Sequence, residues 1–156
     1  MDSENIKSVE IWKNFLEYKN IDENKGIPAS IYFCDNKIDA NECAELVLKN
    51  IKRATATSLM WFNRHNKPIP NVGDQYIVTD WKGNAKAIIE NYMVEQVPFN
   101  KINTEFAITE GEGDKSLKHW KKVHKAYYTR ELSNFCEKFD ENMILVCEKF
   151  NKIWPI

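Results

Sequence analysis

The sequence has no apolar run approaching the ~20 residues of a bilayer-spanning helix, and its mean hydropathy is -0.56, which excludes a helical membrane span. Charge of either sign in excess is also missing: 22 Lys and Arg stand against 23 Asp and Glu, a formal net charge of -1. No global positive field therefore draws the chain to nucleic acid, and any such contact has to come from a local basic patch. There is no C-x-x-C spacing; Cys34, Cys43, Cys136 and Cys147 sit among apolar neighbours and read as reduced thiols of a cytoplasmic protein. The acidic start Met1-Asp2-Ser3-Glu4 is unlike the basic, then apolar, start of a secretory signal, so none is expected. Internal repeats, linkers and low-complexity tracts are absent, and one domain over 1–156 is expected.

What is present is a succession of short periodic segments. Ile6, Val9, Trp12, Phe15 and Leu16 recur at helical spacing and predict an amphipathic helix closing before Asn20. Residues 21–37 read as a loop pinned by Tyr32 and Phe33. Asp39 with Glu42 three positions on has capping-box spacing and predicts a helix over 39–49, with Asn50 suited to the left-handed position after it. Ile51 to Trp61 reads as a strand, and Gln75–Trp81 and Ala85–Val97 as two more joined by Lys82-Gly83-Asn84. Thr104 can cap a short helix, Glu110 to Asp114 reads as an acidic loop, and a helix follows from Ser116 to about Leu132. Met143 to Phe150 predicts a final buried strand. Helices interleaved with five or six strands give an α+β class with a small barrel-like sheet.

Three constellations can carry chemistry. Lys52-Arg53-Ala54-Thr55-Ala56-Thr57-Ser58 gathers two cations and three hydroxyls. Lys52 and Thr55 reach one cavity if Lys52 belongs to the turn before the strand, and a desolvated Lys of depressed pKa can then take the proton from Thr. The plainer reading is a Thr-rich edge strand with solvated cations. Glu110-Gly111-Glu112-Gly113-Asp114 with Ser116 can place a general acid or base or cap the next helix; the longer spacing of a calcium loop is missing, so no metal is expected. Its two glycines favour a loop facing a pocket. Trp120 and His124 share a helix face, where an aromatic stripe is as a rule core, whereas His119 and His124, five apart, make a poor metal pair. His65 reads as a solvated turn residue.

The ordered set Trp12, Phe33, Asp35, Leu46-Val47, Lys52, Ala54-Thr55, Pro70, Gly73-Asp74, Phe99, Phe106-Ala107, Glu110-Gly111-Glu112-Gly113-Asp114, Ser116-Leu117, Trp120 and His124 resembles the ASCH domain family from about Trp12 to Phe150. The resemblance implies a PUA-like fold, a small β-barrel flanked by helices, with a cavity for RNA or a nucleoside. It further implies an amidohydrolase of the N4-acetylcytidine kind using a Lys, a Thr and a Glu, which match Lys52, Thr55 and Glu110, with Glu112 as the alternative carboxylate. Phe33, Arg53, Thr57, Ser58, Glu112, Asp114, Ser116, Trp120 and His124 are the candidate substrate-binding residues. Other members of the family imply single-stranded RNA binding or cleavage, for which Lys52, Arg53 and Lys86 would line a groove. Neither reading calls for a cofactor. Two positions depart from the family pattern: Cys34 stands where Gly is usual after the Phe, which requires its loop to avoid or tolerate positive φ, and Arg53 adds a permanent charge after Lys52.

Overall fold

The computed structural model describes residues 6–22 and 25–156. Its frame is a five-stranded sheet in the order β1-β3-β4-β5-β2, built from β1 (Ala29–Ile31), β2 (Ala54–Ser58), β3 (Gln75–Thr79), β4 (Ala85–Pro98) and β5 (Ile144–Trp154). Among the described residues β1 and β3 are the one parallel pair. The long β4·β5 pair is interrupted by register shifts at Ile88/Ile89 and Asn91/Met93, and such bulges strengthen the bend of the sheet into a half-barrel.

Alternation along the strands decides which helix covers which face. On β3, Ile77 packs with Ile11, Trp12, Phe15 and Leu16 of α1 (Ser8–Lys19), while the next residue, Val78, packs with Cys43, Ala44 and Val47 of α2 (Lys37–Leu48). At the other end of the sheet Ala54, Ala56, Leu145 and Cys147 meet Phe106 and Ala107 of α4 (Thr104–Glu110) and Trp120 and Tyr128 of α5 (Leu117–Ser133). The Tyr128 hydroxyl donates to the Ala56 carbonyl at 2.6 Å, fixing α5 against β2.

Several expected boundaries move, each for a local hydrogen bond. The segment 21–37 is not loop throughout: Ala29–Ile31 pairs with Tyr76–Val78. Asn36, not Asp39, caps α2, accepting from the Asp39 N–H at 2.9 Å, so the helix starts two residues early. The strand expected over 51–61 stops at Ser58, because the Ser58 hydroxyl accepts from the Trp61 N–H and opens the short helix α3 (Leu59–Arg64). Asn103 rather than Thr104 caps α4, and Glu110 closes that helix instead of starting a loop. The end of α1 before Asn20, the left-handed Asn50 after α2 and the Ser116 cap of α5 match expectation. Cys34 tolerates positive φ, at 70°. Of the four cysteines, Cys136 is exposed rather than set among apolar neighbours; none is disulfide-bonded. No helix among the described residues is long and apolar enough to cross a membrane.

Gly111 decides how closely α4 meets the start of β2. It ends α4 at φ 78°, and a Cβ there would lie 2.2 Å from the Ile51 carbonyl oxygen. Beside it the Arg53 N–H donates to the Thr109 carbonyl at 2.9 Å. Gly111→Ala is expected to cost more than the ~1–3 kcal/mol of a strained backbone position. Gly83→Ala, where φ is 88° but nothing lies within 4 Å of the new Cβ, should cost only that amount. Urea unfolding of both variants measures the difference.

Candidate active site

Lys52 follows α2 directly. Its N–H and that of Ile51 both reach back to the Leu46 carbonyl, so the residue sits in the turn before β2 and its side chain enters the protein, where it is 1% exposed. The ammonium Nζ donates to Glu112 Oε1 at 2.7 Å and to the Ala54 carbonyl at 2.8 Å, lies 3.5 Å from Glu110 Oε1, and stands 4.8 Å from the centre of the Phe33 ring. Glu110 is held in turn by α5. Its Oε1 lies 3.0 Å from His124 Nε2, and its Oε2 accepts from the Trp120 indole N–H. His124 Nδ1 donates to the Trp120 carbonyl at 2.9 Å, and its ring stacks on Trp120 at 3.9 Å between centroids.

The charges follow from these contacts. Burial works against ionisation of Lys52, but the two carboxylates outweigh it, and its pKa is raised above the ordinary lysine value. Lys52 is therefore a cation and not the desolvated neutral base that Lys-activated hydroxyl chemistry needs. Burial likewise opposes Glu110, yet His124 and Lys52 hold its carboxyl well below the usual range. Burial disfavours charged His124, and Glu110 reverses that, raising its pKa. Both ring nitrogens face acceptors, which only the imidazolium satisfies with two N–H donors. Two cations and two carboxylates thus balance in a nearly dry space, the condition under which buried ions are tolerated.

A cavity of about 1040 Å³ opens beside this cluster, between α2, α5 and the α2-facing side of the sheet. Thr55, Thr57, Tyr76, Ile89, Glu148 and Phe150 line it from the strands; Phe33, Cys43, Glu112, Gly113, His119, Tyr127 and Glu131 line it from helices and loops. Lys52, Glu110 and His124 form part of the same wall. Seven carboxylates face it (Asp35, Asp39, Glu42, Glu110, Glu112, Glu131, Glu148) against three Lys and Arg, and one of these, Arg130, is paired with Asp35 at 3.0 Å. Phe33 stacks on Phe150 within the wall.

The structure thus brings together Lys52, Thr55, Thr57, Glu110, Glu112, His124 and Phe33. It leaves out six of the expected residues. Arg53 is exposed and does not line the cavity; it precedes β2, which begins at Ala54, so the alternation that places Thr55 and Thr57 on one face does not extend to it. Ser58 lies on the opposite strand face, donating to Glu131 and capping α3. Asp114 is exposed and binds the Ser116 N–H at 2.8 Å, while Ser116 caps α5. Trp120 is 3% exposed behind His124, packed against Phe99 and Phe106, and so cannot stack on a ligand. Lys86 is likewise absent from the cavity, so Lys52, Arg53 and Lys86 line no common groove.

Sequence reasoning missed Glu148 and Glu131. A carboxylate inside the apolar run Ile144 to Phe150, and one placed seven residues after His124 on the same helix face, were the available signals. Among the described residues two trios bring ligand atoms within 4.8 Å of one another, Cys34/Cys43/Glu112 and Glu110/Glu112/His124, but the Lys52 ammonium already lies between Glu110 and Glu112 where a cation would neutralise them. Cys34 Sγ is 3.6 Å from Cys43 Sγ, and Cys43 Sγ is 3.4 Å from Glu112 Oε1; burial and the neighbouring Cys34 push the Cys43 thiol up.

The ASCH domain family matches residues 29–154. An ASCH domain crystal structure from Lactobacillus crispatus JV V101 is 31% identical, aligns with 97% of this chain and 98% of its own, and superimposes with a TM-score of 0.85. A crystal structure of a protein from Enterococcus faecalis V583 is 30% identical over 92% of this chain and 85% of its own, with a TM-score of 0.83. No curated protein matches the chain.

The ion cluster makes a prediction about pH. Glu110, with its pKa lowered, contributes stability above the ordinary value of 4.5 that is lost as pH falls through its folded value. His124, with its pKa raised, contributes stability below the ordinary value of 6.5 that is lost as pH rises through its folded value. The contribution of the cluster is therefore greatest between 4.5 and 6.5. Titration of the His124 ring by NMR should show a pKa above 6.5 in the wild type and a fall in Glu110→Gln, where burial acts with less opposition.

Proposed function

The chain belongs to the ASCH domain family, and on that footing we propose that it is a hydrolase acting on the amide of a modified nucleoside or a similarly sized neutral amide, N4-acetylcytidine being the model substrate. The observation that carries the reading is a charged Lys52, locked by Glu110 and Glu112, in the wall of a cavity that also holds the Thr55 hydroxyl. The cavity volume is at the upper end of what small-molecule sites offer.

Thr55 attacks the acyl carbon and forms the new C–O bond. The Lys52 ammonium, pre-set and unable to reorganise, neutralises the oxyanion that develops on the carbonyl oxygen. Glu112, its side chain 21% exposed, holds Lys52 from the cavity side, and the proton lost by the Thr55 hydroxyl passes to the departing nitrogen as the C–N bond breaks. Water then hydrolyses the acyl-threonine. Glu110 touches no substrate; it positions Lys52 and His124. Phe33 and Phe150 offer an apolar wall to the base, and base stacking on aromatics is worth ~1–3 kcal/mol in single-strand binders. A reducing, cytoplasmic setting keeps Cys34 and Cys43 as thiols at the rim.

The acidic lining argues against RNA as ligand. Phosphates entering past seven carboxylates would meet repulsion, whereas an uncharged nucleoside would not. Purified protein incubated with N4-acetylcytidine should release cytidine, Thr55→Ala should lose ~100-fold or more of kcat/KM, and the rate should change little between low and high salt. Absence of turnover with salt-sensitive retention or cleavage of labelled single-stranded RNA would overturn the reading in favour of an RNA module.

A further inference from the structure

With Lys52 held as a cation, the attacking hydroxyl has no base among the residues that the sequence pattern nominates. The sheet supplies one. Thr55 on β2 and Glu148 on β5 are direct register partners in an antiparallel pair, so their side chains leave the sheet on the same face, and both line the cavity. Directly opposed residues in such a pair have Cβ atoms ~4.5–5.5 Å apart, within reach of a carboxylate closing on a hydroxyl when a ligand is bound. Glu148 is only 7% exposed, and its carboxylate accepts a hydrogen bond from a neutral group, the Asn91 side-chain amide, which donates to Oε2 at 2.7 Å. That bond fixes one oxygen and leaves Oε1 for the cavity.

Asn91 is itself built for this place. It is 2% exposed, lies at the β4 bulge where the register with β5 shifts, and is pinned through its backbone, its carbonyl accepting from the Gly73 N–H and its own N–H donating to the Asp74 carbonyl. Among the described residues its side-chain oxygen has no hydrogen-bond partner, a cost the fold bears at a buried site.

We propose that Glu148 is the general base for Thr55 and that Asn91 is the positioning residue that orients it. The assignment rests on the hydrolase reading above and deepens it. Glu148 Oε1 takes the proton from Thr55 Oγ1 as that oxygen bonds to the acyl carbon, and gives it to the leaving nitrogen as the C–N bond breaks, which returns Glu148 to the carboxylate. In the second half Glu148, again a carboxylate, takes a proton from the attacking water as its oxygen bonds to the acyl carbon and returns it to Thr55 Oγ1 as the ester C–O bond breaks, so the acid is released and both residues end as they began. Burial raises the pKa of Glu148, the Asn91 bond lowers it, and Asp74 raises it further. Tyr76 and Cys147, the other titratable groups that feel its charge, are neutral near neutral pH, and the strand partners Thr55 and Asn91 do not titrate. A base moved up from the ordinary carboxylate range is better matched to proton transfer near pH 7.

The test separates this assignment from the choice of substrate. p-Nitrophenyl acetate, an activated acetyl donor, is applied to the wild type, Glu148→Gln and Glu148→Asp, and acetylation of Thr55 is followed by peptide mass spectrometry across pH, with thermal unfolding confirming the fold of each variant. Thr55 of the wild type should be acetylated at a rate that rises through a single titration above pH 4.5, the ordinary value for this group. Glu148→Gln should slow it ~100-fold or more and flatten the profile. Glu148→Asp, which sets the carboxylate back by one methylene, should be slowed but keep the profile; it serves alone if the Gln variant does not fold. Acetylation at the wild-type rate in either variant, or no labelling of Thr55 in the wild type, would overturn the assignment. Glu148-dependent labelling without turnover of N4-acetylcytidine would leave the assignment standing and remove only the nucleoside amide as substrate.

Discussion

Lys52 is a full positive charge placed where water scarcely reaches, and the neighbouring structure answers to that constraint. An ammonium in such a position would ordinarily lose its proton; it stays charged because Glu110 and Glu112 meet it at 3.5 and 2.7 Å. Glu110 in turn is tolerable only because His124 and the Trp120 indole share it, which ties the end of α4 to the first turns of α5. Gly111 lets that end press against Ile51, directly before Lys52. The ion cluster, the helix junction and the entry into β2 are therefore one arrangement, and none of its parts is free to move alone.

From this arrangement the chemistry divides across the cavity. One wall carries the charge-balanced cluster with its ammonium; the sheet face carries Thr55, Glu148, Phe150 and Tyr76. A cation fixed by carboxylates is a poor base but a good partner for a developing oxyanion, so on the proposed hydrolase reading the hydroxyl is served from the sheet side. The surplus of carboxylates around the opening then selects by charge, admitting neutral or cationic molecules more readily than polyphosphates.

Much of this was legible in the sequence where the signal was local. The periodicity of Trp12, Phe15 and Leu16, the Ser116 cap, the Asn50 turn and the strand pair around Gly83 all rest on neighbours within a few residues. The motif residues Lys52, Thr55, Glu110, Glu112 and His124 do meet at one cavity. What escaped was set by partners distant in the chain. Ala29–Ile31 becomes a strand only because β3 lies beside it, and Trp120, a substrate-binding candidate by resemblance, is closed over by α4 and Phe99. The direction of the Lys52 shift depended on the sum of two carboxylates against burial, which no spacing rule contains. Glu148 was hidden in an apolar run because its role depends on register with β2, ninety-odd residues earlier.

The charge on Lys52 is the point from which the account proceeds, and the titration of its side-chain nitrogen by NMR, with 15N-labelled lysine and a Lys52→Arg variant for assignment, measures it directly. The account predicts an Nζ resonance that stays in the ammonium range past ~pH 10, the ordinary lysine value. Loss of that proton near neutral pH would make Lys52 a neutral base and contradict the division of labour described here.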